Sequence, residues 1–517
     1  MRKQKRMIMF NEDNTHQFCE YCTAKVRPTP KIAEEYISQY AGSQITDYLI
    51  NVNSLNSSYP SKVLESYDQR FLEKKQNGYD VNFSDTHARQ YYECFIEDKY
   101  DMYAHWIELL RKINIRPWLS FRMNDCHNNS DPYSMMLSNY YHEHKELRRC
   151  AHHLDGGGYF MNCFDYAKKE VRDRMLAYID EALDRYDVDG IELDYIREQF
   201  CFSIGGEYEG RNIMTDFIRD VNAIVYKYEE KRNKNISILV RVPRSPEDCF
   251  YEGFDVILWA KEKLVDVIVA SPRWCPTDND IPVEFWKQIL DPYDVEFAAA
   301  VELIVKFDET FLLNTHETAL ASCYQNMSAG ADFAYLFNYM RSNVTNYENP
   351  DDPVMSSILY KWDNYQHLIH NAGTLETASK CIRRNIPTGQ DLAPDWKTVR
   401  KPLPITCEDP HSYPNIRIRT GEISPDSEVK LILGCKHIDS DSPLTDKDFK
   451  VWINSHKLTL SSVQKVFPEF TKNPGYVFEV KDKSILSQVN MVEVSVSEGS
   501  QPYIVDFAEI YVKPKNL

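Results

Sequence analysis

No apolar run in the 517-residue chain approaches the length of a bilayer span, so it offers no candidate transmembrane helix. Basic residues are scarce: 60 Lys and Arg stand against 78 Asp and Glu, giving a net charge of −18 at pH 7. Phosphate backbones and anionic lipid surfaces need clustered Lys and Arg, which excludes nucleic acid and membrane as principal partners. The 13 cysteines are odd in number and scattered, the usage of reduced thiols in a cytosolic protein. A lone Cys19-x-x-Cys22 has no second pair at zinc spacing. The basic start, Met1 to Arg6, is followed only by the apolar run Met7 to Phe10, too short for a secretory leader. These absences place the chain in the cytoplasm. No glycine-rich phosphate loop follows the first strand candidate, which argues against a doubly wound nucleotide-binding sheet. A Ser-His-Asp order and internal repeats are also missing.

Hydrophobic residues make up 43% and charged residues 27%, normal for a globular protein with a sizeable core, and the length suggests two or three domains. Aromatics reach 13%, with 34 Tyr and 8 Trp. Their faces stack on the apolar faces of sugars, although an aromatic core is the plainer reading. Short apolar strand candidates alternate with helical patterns, the signature of a parallel α/β fold. Strands are expected at residues 6–10, 45–53, 115–124, within 186–198, and at 236–242, 265–271, 295–303 and 331–339. Helices are expected at 31–40, 86–112, 166–185, 213–231, 250–262, 281–290, 314–328 and 355–370. Eight such units make a (β/α)8 TIM barrel over residues 1–372, with its excess length in loops after strands two, three and four. Residues 373–517 instead show short period-two runs, among them Phe449 to Ile453 and Ala508 to Val512, punctuated by Gly and Pro. They read as an all-β sandwich that follows a proline-rich linker, residues 387–404.

Residues 186–198 organise the chemistry. Ile191, Leu193 and Tyr195 share one face of the fourth strand, while Glu192 and Asp194 share the other. A strand that buries its apolar face against helices and aims carboxylates the other way fits the polar mouth of a barrel, where strand ends carry catalytic groups. Strand one brings Asn11 and Asp13 to that rim, strand two Asn51 and Asn53. The third brings Trp118, Arg122, Asn124, Asp125 and His127; the fifth and sixth bring Arg241, Arg244, Arg273 and Trp274; the eighth ends in Asn338. On strand seven the small Ala298 and Ala300 leave space inside the barrel beside Glu302. Amides and guanidinium groups bind vicinal hydroxyls, and Trp offers a platform for a sugar face. Two carboxylates across one cavity are what cleavage of a glycosidic bond needs. Asp194 and Glu302 are the pair that strands four and seven would place across the rim. Glu192 lies deeper and orients them, and Glu198 is the substitute acid. Arg122, Arg241 and Arg273 read equally as internal charge partners and as contacts to an acidic substrate. Five histidines between strands three and four (His127, His142, His144, His152 and His153) fix no metal-ligand spacing, so neither metal nor cofactor is expected.

The segment Val171-Arg-x(7)-Asp180-Glu-x-Leu-x-x-Tyr186-Asp-Val-Asp-Gly-Ile-x-Leu-Asp194-Tyr-x-Arg197 resembles bacterial glycoside-hydrolase-like barrel proteins, in which a strand-four DGIxLDYxR element follows such a helix. The resemblance covers about thirty residues, and related DGxxxD patterns recur in several retaining glycosidase clans. It implies that Asp194, the last Asp of the pattern, is the nucleophile. Another clan carries glutamates on strands four and seven, with its acid/base in an Asn-Glu pair on strand four. This sequence lacks that pair, while Glu302 matches the clan's strand-seven nucleophile position, which leaves open how the roles divide. The expected function is a glycoside hydrolase acting on an oligosaccharide or small glycoside, with retention. The C-terminal domain would complete the site, bind glycan or mediate contact between subunits of a homo-oligomer. The alternatives are a carbohydrate-binding protein with a silent barrel and a metal-dependent barrel hydrolase or lyase.

Overall fold

A computed structural model describes residues 5–13, 28–78, 89–129, 134, 136–149, 159–196, 198–272, 276–307, 311–339, 362–389, 401–466 and 470–515. Eight parallel strands close a barrel: β1 (Ile8–Glu12), β2 (Ile45–Asn51), β3 (Arg116–Arg122), β4 (Gly190–Asp194), β5 (Ser237–Pro243), β6 (Val267–Ser271), β7 (Glu296–Val301) and β10 (Ala334–Phe337). The last of these pairs with both β1 and β7, so no edge is left. Between them sits a short antiparallel hairpin, β8 (Ile304–Lys306) and β9 (Phe311–Leu313).

Period-two alternation sorts the side chains. Ile191 and Leu193 join the large core between strands and helices, whereas Met9, Leu49, Trp118, Val269, Ala298 and Tyr335 belong to a separate cluster within the barrel. The helix Lys169–Arg185 buries Val171, Tyr178, Ile179, Ala182 and Leu183, one stripe at helical spacing, and its chain then passes directly into β4.

The N-terminal end of the barrel is plugged. Trp118 pairs in register with Gly190 and donates its indole N–H to Asp47 at 2.9 Å, and Arg116 grips the same carboxylate. A Cβ on Gly190 would stand 2.2 Å from Trp118 Cε3. Gly190 is therefore required by space. The Gly190→Ala variant should lose about 2 kcal/mol or more through overpacking, read as a lower thermal midpoint.

Several elements depart from the sequence expectation. The helix expected at 250–262 is two helices, Pro246–Tyr251 and Val256–Lys261, separated at Gly253, whose φ of +94° suits only glycine. The helix expected at 86–112 is a π-helical turn, Tyr92–Glu97, and a helix, Met102–Lys112, capped by Asp101. An additional helix, Tyr67–Gln76, starts at a capping box on Ser66. The barrel closes with Trp362–Asn371, within the helix expected at 355–370 but for its last residue; residues 355–361 of that expectation lie outside the described residues.

From Arg383 onward the chain forms two antiparallel sheets, one in the order β11-β20-β14-β18-β17 with β12 on β20, the other β13-β19-β15-β16. These strands are Arg383–Asn385, Ile405–Cys407, Asn415–Arg419, Glu428–His437, Phe449–Ile453, His456–Leu458, Ser462–Lys465, Pro474–Glu479, Val489–Val496 and Tyr503–Lys513, β11 to β20 in order. A TIM barrel is thus followed by a β-sandwich. The hairpin after β7 joins the two: Val305 and Phe307 belong to the sandwich core, with the Phe307 ring 5.7 Å from those of Phe470 and Phe507.

Candidate active site

At the C-terminal ends of β3, β4 and β5, Arg122, Asp194 and Arg241 stand in register, a row of alternating charge across three strands. Each projects into the barrel because its residue number shares parity with the inward set of its strand. Below Asp194 the same face carries Glu192, paired with Ser120 and Leu239.

Arg241 is the junction of the site. Its Nη1 donates to both oxygens of Asp194, at 3.1 and 3.0 Å, and its Nη2 donates to Glu302 Oε1 at 2.5 Å and Ser271 Oγ at 3.1 Å. Its guanidinium lies 3.8 Å from the centre of the Phe337 ring. Two carboxylates raise the Arg241 pKa beyond its ordinary value, against the opposing effect of burial. One fork therefore ties a residue at the end of β4 to one just beyond β7. Asp194 Oδ1 also accepts from the Ile196 N–H at 2.9 Å.

Glu302 is fully buried, and desolvation raises its pKa above the usual carboxylate range; Arg241 and Ser271 oppose the shift. Its Oε1 accepts from Ser271 Oγ at 2.8 Å, while its Oε2 has no hydrogen-bond partner among the described residues. The backbone of Glu302 is held from several sides. Thr277 Oγ1, Asn314 Nδ2 and Tyr339 Oη donate to its carbonyl at 2.7, 2.8 and 2.6 Å. Its own N–H donates to Thr277 Oγ1 at 3.0 Å. Three donors on one carbonyl fix the direction of a side chain that lies outside regular strand.

Glu192 occupies the layer beneath. Asn11 Nδ2 and Ser120 Oγ donate to its Oε2 and Tyr335 Oη to its Oε1, each at 2.5 Å. Burial first, then the Asp194 charge, raises its pKa to about 7. The folded chain thus keeps a proton on Glu192 in a window, roughly pH 4.5 to 7, where the unfolded chain has released it. Stability from this group falls as pH rises through that window, by roughly 3 kcal/mol in all. Against wild type, Glu192→Gln should show a shallower decline of denaturation midpoint between pH 4.5 and 8.

The other expected site residues divide by depth and by partner. Arg122 donates to Asp13 at 2.6 Å and Asp125 at 2.8 Å, and Asp125 also holds His127. These four form an internal charge network beside Asp194, the charge-partner reading of Arg122. Asn51 donates to the Ser120 carbonyl at 3.2 Å, and its Oδ1 has no partner among the described residues. Asn338, at φ +61°, follows β10 with its N–H on the Asn11 carbonyl, and its Oδ1 has no hydrogen-bond partner among the described residues.

Two expectations are corrected. Trp118 does face inward, but it lies at the base of the barrel, packed on Gly190 and bound to Asp47, so it is a floor and not a platform at the mouth. Asn124 is consumed by the loops: its Nδ2 donates to the Phe164 carbonyl at 2.9 Å and its Oδ1 accepts the Phe164 N–H at 2.9 Å. Arg273, Trp274, Arg197, His152, His153, Gly156–Gly158 and the Cys19/Cys22 pair lie outside the described residues. The supporting groups Ser120, Ser271, Thr277, Asn314 and Tyr335 were absent from the expected site. Only the inward parity of Ser120, Ser271 and Tyr335 signals them in the sequence. Among the described residues, no group of three or more His, Cys, Asp or Glu is arranged to hold a metal ion, and no helix is long and apolar enough to cross a membrane.

Fold and site together define a TIM barrel whose interior carries Glu192, Asp194 and Glu302 with the buried Arg122 and Arg241. No protein-family model matches the chain, and no curated protein is similar to it in sequence. Solved structures with likeness to it include the glycoside hydrolase domain of PgaB (BpsB) from Bordetella bronchiseptica, at 9% identity and a TM-score of 0.40, covering 71% of this chain and 98% of that one. An alpha-L-fucosidase from Vibrio sp. strain EJY3 matches at 11% identity and a TM-score of 0.36, over 99% and 97% of the two chains. The cycloisomaltooligosaccharide glucanotransferase of Paenibacillus sp. matches at 10% identity and a TM-score of 0.35, over 97% of this chain and 57% of its own length. The chain thus spans little more than half of that enzyme. At such scores the functional argument rests on the site's own geometry.

Proposed function

We propose that the protein is a retaining glycoside hydrolase acting on an oligosaccharide or small glycoside. Asp194 is its nucleophile and Glu302 its acid/base. The observation that carries this reading is the Arg241 fork, which holds both carboxylates while Glu302 Oε2 has no partner among the described residues. A shared guanidinium keeps the two groups within the span of one side chain. Retention uses a separation of roughly 5–5.5 Å and inversion roughly 6.5–9.5 Å, so the distance between the two carboxyl groups bears directly on this assignment.

Their surroundings differ. Asp194, gripped through both oxygens, is presented as an acceptor and attacks the anomeric carbon, forming a covalent glycosyl ester. Glu302, whose pKa desolvation raises, is in this reading the group that protonates the departing oxygen through Oε2. The resulting carboxylate then takes a proton from water as that water displaces Asp194. Glu192 stays beneath as a positioning residue for the β4 end. Residues 1–372 form the catalytic unit in this reading and residues 373–517 the accessory one. A cytoplasmic setting implies imported small oligosaccharides as substrates.

A panel of chromogenic glycosides tests the proposal: turnover of at least one is expected, and binding without turnover across the panel would replace it with a silent barrel. On the substrate found, Glu302→Gln should lower kcat by roughly 10²–10⁴ for poor leaving groups and far less for dinitrophenolate, which departs without protonation. An equal loss on both would remove Glu302 from the acid role.

A further inference from the structure

Outside the barrel mouth, the N-terminal turn of the helix Glu207–Arg232 and the helices Pro246–Tyr251, Val256–Lys261 and Val283–Leu290 enclose an open groove of about 630 Å³. Its walls present aromatic faces to solvent: Tyr208 is 77% exposed, Tyr251 61% and Phe250 51%. Lining it is Arg211, itself only 8% exposed, with its guanidinium 3.5 Å from the centre of the Phe250 ring and 4.2 Å from that of Tyr208. Its one hydrogen bond among the described residues runs from Nε to the Tyr208 carbonyl at 3.3 Å, and it makes no ion pair there. A guanidinium has five donors: Arg122, Arg241 and Arg384 are matched to carboxylates, and the outer nitrogens of the buried Arg148, Arg149 and Arg383 donate to carbonyl oxygens. Arg211 thus lies close to two rings at the wall of a groove, its outer nitrogens without a hydrogen-bond partner among the described residues. Glu207 and Glu247 line the same groove, acceptors for hydroxyl groups.

We infer that this groove is a second carbohydrate site, separate from the barrel mouth, and that its ligand is an acidic sugar of the uronate class. The carboxylate pairs with Arg211, a pyranose face lies on Tyr208 or Tyr251, and hydroxyls reach Glu207 and Glu247. The choice of a sugar as the body of the ligand rests on the glycosidase reading; the choice of an anion rests on the outer donors of Arg211, which have no acceptor among the described residues of a groove that Glu207, Glu247 and Asp255 also line. Volume agrees: small-molecule sites span about 300–1,000 Å³.

The test is isothermal titration of the full chain with trigalacturonate and with maltotriose as the neutral control. The expected result is saturable binding of trigalacturonate only. Arg211→Gln should weaken it at least tenfold, as should Tyr251→Ala, which alters an exposed side chain and leaves the helix packing intact. Both variants should hydrolyse the best chromogenic glycoside as fast as wild type. Equal affinity for maltotriose, unchanged affinity in both variants, or no binding of trigalacturonate would overturn the inference. So would concentration-dependent self-association in sedimentation that Phe250→Ser abolishes, since a second copy would then be the occupant. If trigalacturonate binds through Arg211 while no glycoside in the panel is hydrolysed, the groove stands and the reading of the barrel falls.

Discussion

Asp194→Asn is expected to lower kcat on the order of 10⁴-fold, about 5.5 kcal/mol of transition-state stabilisation, while leaving the fold intact. The amide is nearly isosteric, can still accept from the Ile196 N–H, and leaves the Arg241–Glu302 contact in place. Lost are the charge and the lone pair that form the glycosyl ester. A loss of this size with an unchanged denaturation midpoint would separate a chemical role from a structural one. Azide, a small anionic nucleophile, should restore turnover in Asp194→Ala and release a glycosyl azide of inverted configuration. A second signature follows from Glu192, whose raised pKa owes its second-largest contribution to the Asp194 charge. In Asp194→Asn the Glu192 titration should move down, and the pH window in which stability declines should move with it.

Arg241→Met should be the most destabilising single change at the site. The guanidinium is buried, and its removal strands Asp194 and Glu302, both buried as well, without their shared cation. Breaking a buried pair in this way costs about 3–5 kcal/mol, because the remaining charges lose their partner but not their desolvation. The sign of the pH dependence follows. Glu302, already raised by burial, rises further once Arg241 no longer opposes it, so the folded variant binds protons that the unfolded chain has released. The variant should therefore be closer to wild type at pH 5 than at pH 8, measured as urea midpoints. Arg241→Lys should recover only part of the loss, since an ammonium cannot span two carboxylates and lie over Phe337 with the same geometry. If Arg241→Met were as stable as wild type at pH 8, the fork would not hold the two carboxylates as described.

The barrel was legible because its signal is strong and local. Period-two alternation needs only a few residues, and in β4 it placed Ile191 and Leu193 outward and Glu192 inward, as the structure has them. On β7, Ala298 and Ala300 likewise face inward, in the inner cluster. What alternation lacks is depth. Trp118 shares its face with Arg122 yet lies four residues lower, where space above Gly190 receives its ring. Partners are invisible for a related reason: Tyr335 meets Glu192 across 143 residues of sequence, through a register that only barrel closure sets. The β8–β9 hairpin, two strands of three residues each, is too short to carry a period. Yet Glu302 lies two residues before it, and Val305 and Phe307, just beyond Glu302, pack into the sandwich. The second sheet layer thus bears on the orientation of a catalytic candidate through chain that no local pattern reveals.

The most direct measurement is covalent trapping. Wild-type protein is incubated with an activated 2-deoxy-2-fluoro glycoside matching the best chromogenic substrate, digested, and mapped by mass spectrometry. The account predicts one equivalent of fluoroglycosyl adduct, on the peptide containing Asp194 and on Asp194 itself. An adduct on Glu302, or turnover of the parent glycoside with inverted stereochemistry and no adduct, would contradict it.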